Sequence, residues 1–391
     1  MIGIRLFAAY ERNGQEMIEL TRDYICALSE HFAVEGNPVE VAECNNGHIN
    51  HTFFVTLNND GEKSRYVLQR INTSIFTDYR GLMNNISAVT EYLREKYRLD
   101  GYADYERRTL TVIPSTKGEN YYVDDLGNVW RMYKCIENAT CYQAVESDEM
   151  FKKVGAAFGR FQKDLADFDA SVLCETIKNF HNTESRLSDL YKAIEENKAG
   201  RADSIKAEIE FVSSRADLCS SIVSKIQSGE IPLRVTHNDT KLNNIMMDDA
   251  SGEGICILDL DTVMPGSALY DFGDSIRFGA SSAAEDETDL SKVYMREDMF
   301  RAFADGFLCA VGDSLTDNEI RMLPLGAVVI TLETGIRFLT DYLNGDTYFK
   351  TAYPEHNLDR ARNQFKLVSD MEGKADAMNA AVAQYLKHKN S

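Results

Sequence analysis

The stretch HNDTKLNN (237–244) and the shorter stretch LDLD (258–261) decide how this chain is interpreted. In order, they supply an Asp, a Lys two positions later, an Asn five positions later, and another Asp twenty positions after the first. Apolar residues typical of short strands flank both stretches. A lone His-x-Asp means little, whereas this ordered combination has the spacing of a phosphoryl-transfer centre.

The side chains of this set suit phosphoryl transfer, which depends mostly on positioning and charge neutralisation. We expect Asp239 to accept a hydrogen bond from the substrate hydroxyl, and Lys241 to balance charge near the γ-phosphate. Asn244 and Asp259 offer the hard oxygen ligands that Mg²⁺ prefers. Asp261 lies two positions beyond Asp259 and would share its face in an extended chain, so we expect it to hold a second ion or a metal-bound water.

Each residue has a structural alternative when it is taken alone. A His-x-Asp loop is often an Asx turn beside a buried His, and an LDLD strand can be an edge with solvated carboxylates. The ordered spacing of the whole set favours phosphoryl transfer. For His237 we predict a structural role, in which its ring ties the loop to neighbouring backbone.

A literal Asp-Phe-Gly sequence at 271–273 needs a separate interpretation, because in protein kinases the Asp of such a sequence binds metal. It follows Asp239 by thirty-two positions and comes after a Pro-Gly pair at which a new helix is expected to begin. We therefore predict that Asp271 is a loop or cap residue and not the metal ligand. No Gly-Lys-Ser/Thr triplet occurs, which excludes a P-loop fold.

Composition limits the partners and the compartment. The formal net charge of −20 argues against binding to nucleic acid and anionic membranes, since both need clustered Lys and Arg. Solubility explains this negative charge, although the charge would also suit a cationic substrate. The eight Cys are scattered without a CxxC pair, which predicts reduced thiols in a cytoplasmic protein. The N-terminal apolar run is too short for a signal peptide, and we expect no later run of membrane length. Met1 and Met17 are both open as translation starts.

Hydrophobic periodicity predicts an α+β fold with two lobes, resembling the plan of protein kinases, with residues 1–136 as the N-lobe and 137–391 as the C-lobe. The N-lobe is expected to hold a small antiparallel sheet and one long helix after its third strand, with strands at 39–44, 51–57, 65–71, 121–123 and 129–136 and a further helix at 17–35. The C-lobe is expected to be mostly helical, with helices at 151–168, 201–227, 299–311, 317–343 and 357–387 and short strands at 234–236, 245–247 and 255–260.

Long stretches of the chain resemble N-acetylhexosamine 1-kinases, within the aminoglycoside phosphotransferase and choline kinase superfamily. The stretches are RVTHNDTKLNNIMMDD (234–249), ILDLDTVMPGSALYDFGDSIRFGAS (257–281), RFLTDYLNGDTYF (337–349) and YPEHNLDR (353–360), with GHIN (47–50) and LQRINTSIF (68–76) in the first lobe. This resemblance implies transfer of the γ-phosphate of ATP to the anomeric hydroxyl of N-acetylglucosamine or N-acetylgalactosamine, with Mg²⁺ as cofactor. Asp239 takes the catalytic position in that resemblance.

The resemblance also implies where the sugar binds. His48, Phe278, Arg337 and Tyr348 fall where the family's sugar pocket would be. The chemistry is reasonable, because a neutral sugar needs planar donors such as Arg and an aromatic face for its C–H side. The alternatives are packing in a helical core for the two aromatic residues and a salt bridge for the arginine.

Nucleotide-binding residues are expected in the first lobe. The loop at 45–50 lies where a kinase phosphate loop belongs, with Gly47 as its only glycine, and the purine is expected near 132–137, which includes Tyr133, Lys134 and Glu137. Gln69 stands near the position of the phosphate-binding Lys of other kinases. The phosphates must then be held by Mg²⁺, by the loop backbone or by another cation. Three candidates for that cation are open: Arg70, Arg131 and Lys134.

Two other functions stay open at this point. One is a small-molecule kinase for an amine, such as choline or an aminoglycoside, which the negative charge would suit but which needs an acidic or aromatic cage. The other is a catalytically inactive, nucleotide-binding scaffold, against which the intact acidic motif argues. The pattern does not separate the two N-acetylhexosamines. We expect a monomer that binds ATP and a small sugar.

Overall fold

The computed structural model describes residues 20–44 and 49–389, and the chain folds into two compact units, Met1–Glu137 and Asn138–Ser391. The first unit contains an antiparallel sheet and the second is mostly helical, so the predicted α+β class is confirmed. The division after residue 137 stands one position from the predicted division after 136.

Within the described residues, the first unit is an antiparallel sheet with two α-helices. The sheet runs in the order β1-β2-β3-β6-β4, with β5 also paired to β6; the elements are α1 (Arg22–Ser29), β1 (Asn37–Cys44), β2 (His51–Asn59), β3 (Glu62–Arg70), α2 (Tyr79–Leu99), β4 (Val112–Ile113), β5 (Tyr122–Val123) and β6 (Val129–Lys134). A two-residue turn joins β2 and β3 in a hairpin: Asp60 and Gly61 both have positive φ, as such a turn between twisted strands requires. Alternate strand residues enter the core, among them Phe53, Val55 and Leu68.

In the described residues, the second unit combines helices with two small sheets, one of three strands and one of two. Its helices are α3 (Asp148–Asp164), α4 (Thr183–Glu196), α5 (Lys206–Ser213), α6 (Ala216–Ser220), α7 (Val223–Gln227), α8 (Ala268–Gly279), α9 (Glu297–Val311), α10 (Asp317–Asn344), α11 (His356–Gly373) and α12 (Ala375–Lys389). Its strands are β7 (Ala139–Thr140), β8 (Arg234–Thr236), β9 (Ile245–Asp248), β10 (Gly254–Ile257) and β11 (Met264–Gly266). The strands pair as β10-β9-β7 and β11-β8, which brings the two acidic stretches of the sequence together.

Several predicted elements differ from the structure. The single helix predicted at 201–227 is broken into α5, α6 and α7, because the hydroxyls of Ser214 and Ser221 bond to carbonyls three residues earlier and compete with the helical pattern. The helix predicted at 357–387 ends at Gly373 and restarts as α12. The polar helix α4 and the short strands β4, β7 and β11 were not predicted. The first predicted helix extends only over α1, and residues 17–19 lie outside the described residues.

The expectation of no membrane-length apolar run is wrong for α10. This helix has 28 residues, a window with mean hydropathy 1.5, and 78% of that window is buried within the protein. Helices α4, α8, α11 and α12 pack against it. Its apolar surface is therefore explained by its place as the core helix of the second unit.

Helices α3 and α9 pack backbone against backbone. Small residues make this possible: a Cβ on Gly155 or Gly159 would overlap carbonyl oxygens of α9, and a Cβ on Gly306 would overlap the carbonyl oxygen of Lys152 on α3. The contact holds α3 against the strands of the second unit, because α3 also packs on β10. The glycines thus fix the position of the helix that supports the acidic loop.

Replacing Gly306 with Ala should destabilise the second unit, because the neighbouring backbone of α3 cannot move aside as a side chain can. We expect a loss of about 2–3 kcal/mol in the free energy of unfolding and a thermal midpoint several degrees lower. Gly373→Ala is the matched control, since a Cβ there meets nothing within 4 Å and the variant should melt at or above the wild-type temperature. Equal melting temperatures for both variants would contradict the close packing of α3 and α9.

Candidate active site

The loop that follows β8 is held by its own histidine. His237 is fully buried, and its Nε2 donates to the carbonyl oxygen of Leu258 at 2.7 Å. Its Nδ1 accepts from the backbone N–H of Asp239 at 3.2 Å. One ring nitrogen donates and the other accepts, so the ring is the neutral Nε2–H tautomer. The predicted structural role of His237 is confirmed.

The carboxylate of Asp271 fixes the backbone at the start of this loop. Asn238 has φ of 65°, in the left-handed region that residues with a side chain rarely adopt. Asp271 Oδ2 accepts from the N–H of His237 at 3.0 Å, and Oδ1 accepts from the N–H of Asn238 at 2.7 Å. Gln162 of α3 adds a third donor at 2.8 Å. These bonds hold a turn that the chain alone would disfavour.

The prediction that Asp271 is a loop or cap residue is therefore wrong. Asp271 lies in the first turn of α8, whose N-cap is Ser267, and it is 1% exposed. Burial raises the pKa of its carboxyl group, while the backbone N–H groups of His237 and Asn238 and the amide of Gln162 oppose the rise. That it does not bind metal stays a prediction, which its saturation with N–H donors supports.

Asp239, Lys241 and Asn244 meet within one loop. Lys241 Nζ lies 2.6 Å from Asp239 Oδ1, and Asn244 Nδ2 lies 3.0 Å from Asp239 Oδ2 and 2.8 Å from the Asp239 carbonyl oxygen. A turn of 3₁₀ helix, Leu242–Asn244, brings the amide back to the carboxylate. The side chains of Lys241 and Asp239 are 33% and 29% exposed, so the carboxylate stays open to a hydroxyl donor.

Electrostatics keep this acid and base pair ionised. Burial works to raise the pKa of Asp239, but the Lys241 ammonium outweighs it and holds the pKa below its ordinary value. Burial works to lower the pKa of Lys241, yet Asp239 and then Asp274 raise it overall. A carboxylate with a lowered pKa is a weak base, so Asp239 is suited to orienting a hydroxyl group.

The residue before Asp259 is bonded to the backbone of Asn244. The N–H of Leu258 donates to the Asn244 carbonyl oxygen at 2.7 Å. Asp259 itself is exposed and left-handed, with φ 53° and ψ 57°, and a 3₁₀ turn, Leu260–Thr262, follows it. The predicted strand at 255–260 therefore ends early, at Ile257.

The role of Asp261 in holding a second ion was predicted from an extended chain at 259–261. That extended geometry is wrong. Because Asp259 is left-handed and the next residues turn, the two carboxylates do not alternate along a strand. Asp259 is exposed, whereas Asp261 is 3% exposed. A metal role for Asp261 stays a prediction without that geometric support.

The donors around Asn244 and Asp259 fit Mg²⁺. Both hydrogen bonds from Asn244 to Asp239 use Nδ2, so its amide oxygen is directed away from Asp239. Across residues 20–44 and 49–389, no group of three or more His, Cys, Asp or Glu is arranged to hold a metal. Mg²⁺ at phosphoryl-transfer sites takes one or two carboxylates and completes its shell with phosphates and waters. The two oxygen donors of Asn244 and Asp259 therefore suit Mg²⁺ better than they suit a metal ion that needs a closed set of protein ligands.

Phe278 lies beside the loop at the end of α8. Its ring is 38% exposed, with the Arg277 guanidinium 4.0 Å and the Lys241 ammonium 4.9 Å from its centroid. Arg277 is buried between Asp274 at 2.9 Å and Glu285 at 2.6 Å. Asp274 also accepts from the N–H of Thr240 at 3.0 Å, which ties this end of α8 to the loop. Phe278 is therefore not packed in a helical core, which was the alternative for this residue.

Arg337 projects from α10 between two aromatic rings. Its Cζ lies 5.4 Å from the ring centroid of Phe180 and 5.6 Å from that of Phe349. Within the described part of the chain, its guanidinium makes no hydrogen bond and no salt bridge. The salt-bridge alternative therefore does not hold, and its N–H groups remain available to a ligand.

A buried carboxylate shapes the loop that carries Tyr348. Asp341 is 5% exposed and accepts from the N–H groups of Thr347, Tyr348 and Phe349 at 2.9, 2.9 and 3.0 Å. The Tyr348 ring is 60% exposed and packs edge-on against Phe349, which in turn lies near Arg337. Tyr348 is thus a surface ring and not part of the core.

Of the expected nucleotide-binding residues, Gly47 lies outside the described residues, as does His48 of the predicted sugar site. Tyr133 is buried on β6, the exposed side chain of Lys134 is 3.0 Å from Glu106, and the Glu137 carbonyl accepts from Arg107. Gln69 pairs across the sheet with Arg131, which is 1% exposed and donates to it at 2.9 Å. A buried cation therefore stands directly beside the position where other kinases have Lys.

Sequence reasoning missed residues that support the loop, including Asp274, His181 and Glu333. One signal was present: Glu333, Arg337 and Asp341 recur at every fourth position of an otherwise apolar helix, so they share one face. Polar residues on one stripe of a core helix indicate a buried polar network or a binding surface.

The geometry agrees with comparisons to known proteins. A model of the phosphotransferase enzyme family (APH) matches residues 40–298, about two thirds of the chain. Solved structures with this fold include a choline kinase from Cryptosporidium parvum (13% identity, TM-score 0.53, covering 93% of this chain and 99% of that one). The fold is also that of the spectinomycin phosphotransferase APH(9)-Ia in complex with ADP and spectinomycin (11% identity, TM-score 0.52, covering 91% and 98%). An ethanolamine kinase from Plasmodium vivax is similar as well (16% identity, TM-score 0.50, covering 83% and 82%).

Asp271→Asn should lower both stability and turnover, because an amide NH₂ would then face backbone N–H donors. We expect a loss of about 2–4 kcal/mol in the free energy of unfolding and a kcat at least tenfold lower per folded molecule. Denaturant unfolding and steady-state kinetics measure the two effects. Asp169→Asn is the control, since that exposed carboxylate also accepts a backbone N–H and should change neither quantity. A fully active Asp271→Asn would show that the loop does not depend on this carboxylate.

Proposed function

The chain belongs to the phosphotransferase enzyme family, and on that premise we propose that it transfers the γ-phosphate of ATP to the anomeric hydroxyl of an N-acetylhexosamine. The acceptor is N-acetylglucosamine or N-acetylgalactosamine, and the product is the sugar 1-phosphate. One observation carries the phosphoryl-transfer part of this proposal: the open Asp239 carboxylate held between Lys241 and Asn244. A catalytically inactive scaffold would have no reason to maintain that arrangement.

In this proposal each residue of the loop has a distinct task. Asp239 accepts a hydrogen bond from the acceptor hydroxyl and directs its oxygen toward the γ-phosphorus. Lys241, whose ammonium already lies against Asp239, stabilises negative charge on the phosphoryl group as it moves. Asn244 keeps the Asp239 carboxylate in place through its Nδ2 and presents its amide oxygen to metal. The loop thus positions the hydroxyl and compensates charge.

Asn244 and Asp259 would hold Mg²⁺, and Asp261 is a weaker third candidate. When bound, the ion neutralises charge on the β- and γ-phosphates. Asp259 is exposed, has a left-handed backbone, and follows Leu258, whose N–H donates to the Asn244 carbonyl oxygen, so the backbones of the two proposed ligands are close. Among the candidates for the missing strand-three cation, Arg131 is favoured because it is buried and bonded to Gln69, whereas Lys134 is already paired with Glu106.

The charge of the acceptor side supports a neutral sugar over an amine. Arg337 makes no hydrogen bond and no salt bridge with the described residues, and it is close enough to Arg186 that, after burial, it helps to lower the pKa of the Arg186 guanidinium. The carboxylate of Asp341 is occupied by backbone N–H groups and cannot cage a cation. Phe278 and Tyr348 add exposed aromatic faces for sugar C–H groups. His48, which the resemblance assigns to the sugar site, lies outside the described residues. We place the enzyme in the cytoplasm as a monomer, and its eight cysteines form no disulfide among the described residues.

Asp239→Asn should lower kcat by at least about a thousandfold with the fold intact, because the variant loses only the orienting carboxylate. Asp259→Ala should abolish Mg²⁺-dependent turnover, measured by ADP release over a Mg²⁺ titration. Asp203→Asn, an exposed carboxylate outside the loop, is the control and should be fully active. An Asp239→Asn variant with a tenth of wild-type kcat would rule out this assignment.

An anomeric kinase should be inactive on a methyl glycoside, since the reacting hydroxyl is blocked, whereas a 6-kinase would still turn it over. We also expect N-acetylated sugars to exceed plain hexoses by roughly ten- to a thousandfold in kcat/KM, because a site built to bond the amide leaves buried polar groups unpaired without it. The measurement is ADP release with N-acetylglucosamine, N-acetylgalactosamine, glucose, galactose, choline, an aminoglycoside and the methyl glycoside. Turnover of the methyl glycoside, or an amine exceeding every sugar, would overturn the proposed acceptor and leave the phosphoryl-transfer centre untouched.

A further inference from the structure

A buried ion pair lies against the catalytic loop and has no part in the proposed phosphoryl-transfer set. His181 Nδ1 is 2.8 Å from Glu333 Oε1, and His181 Nε2 is 3.1 Å from the carbonyl oxygen of Asn238. Thr183 Oγ1 donates to the other carboxylate oxygen of Glu333 at 2.6 Å. The side chains of His181 and Glu333 are 8% and 1% exposed.

The neighbours of the His181 ring require a proton on both nitrogens. A backbone carbonyl can only accept, and an ionised carboxylate can only accept. The Glu333 carboxylate also accepts from Thr183 Oγ1, and its pKa is held below the ordinary value although burial works to raise it. Tyr270, whose ring lies 5.2 Å from His181, is the other titratable neighbour, and burial raises its pKa further from neutrality. His181 is therefore an imidazolium with two acceptors.

The bond to Asn238 acts on a single peptide plane. The Asn238 carbonyl belongs to the same peptide group as the N–H of Asp239, and that N–H donates to Nδ1 of His237. One histidine thus holds the C=O of this peptide group and another holds its N–H. Asp239 is attached directly to the plane, so the orientation of the plane sets the direction in which the Asp239 carboxylate leaves the backbone.

We propose that His181, held as an imidazolium by Glu333, is a positioning residue that locks the Asn238–Asp239 peptide plane and so aims Asp239 at the acceptor hydroxyl. This inference rests on the proposed role of Asp239. Glu333 stands one helical turn before Arg337 on α10, so the same ion pair joins the catalytic loop to the helix that carries the proposed sugar ligand. A buried pair of this kind also makes loop geometry sensitive to the loss of either charge.

Two isosteric changes at the same carboxylate separate positioning from stability. Glu333→Gln keeps the shape and removes the charge that His181 needs, whereas Thr183→Val removes the other hydrogen-bond donor and keeps the ion pair. Both should lower the thermal midpoint. Only Glu333→Gln should lower kcat, by roughly ten- to a hundredfold per folded molecule, with the KM for ATP within twofold of wild type. Asp239→Asn is assayed alongside them with the same sugars.

A second measurement does not depend on whether Glu333→Gln folds. In ¹⁵N-histidine spectra at neutral pH, both ring nitrogens of His181, identified by their loss in His181→Gln, should show protonated shifts in the wild type. A neutral His181 ring, or equal kcat losses in Glu333→Gln and Thr183→Val, would overturn the positioning role. If Asp239→Asn were active, the proposed function would fail instead; if it is inactive while Glu333→Gln turns over normally, only this inference fails.

Discussion

A buried carboxylate surrounded by backbone N–H groups is the constraint on which the candidate site depends. Asp271 lies inside α8, yet its two oxygens accept from His237 and Asn238 of a loop more than thirty positions earlier in the chain. Losing these bonds would leave an uncompensated carboxylate in the interior, so the loop and the helix must keep their relative position. Because Gln162 of α3 donates to the same carboxylate, the close packing of α3 and α9 also supports the loop.

Local strain at the site is maintained by its surroundings. Asn238 and Asp259 both adopt left-handed backbone conformations, which Asn and Asp tolerate better than other residues with side chains. Asn238 immediately precedes Asp239, which is proposed to orient the acceptor hydroxyl, and Asp259 is itself a proposed metal ligand. Hydrogen bonds to the buried Asp271 carboxylate compensate for the strain at Asn238, and the left-handed residue at 259 ends the course of a regular strand.

The charge next to Arg337 differs from the charge of the whole molecule. The net charge of −20 suggested a cationic substrate as one option. On the proposed acceptor side, however, Arg337 makes no salt bridge with the described residues, while the nearby acids Asp341 and Glu333 are occupied by N–H donors and an ion pair. The field within a few ångströms determines recognition, because distant surface charges are screened by salt.

The sequence by itself determined the fold class and the members of the loop centre. Asp239, Lys241 and Asn244 are so close in the chain that one turn must bring them together, and His237 could be assigned a structural role for the same reason. Only the tertiary structure decided that Asp271 supports the loop, that Asp259 leaves the strand, and that α10 is a core helix carrying Arg337. His181 and Glu333 stand 152 positions apart, and no local pattern of spacing specifies which helix face meets which loop. The packing of the whole unit decides which helix face meets which loop, because contacts between residues far apart in the chain form only together.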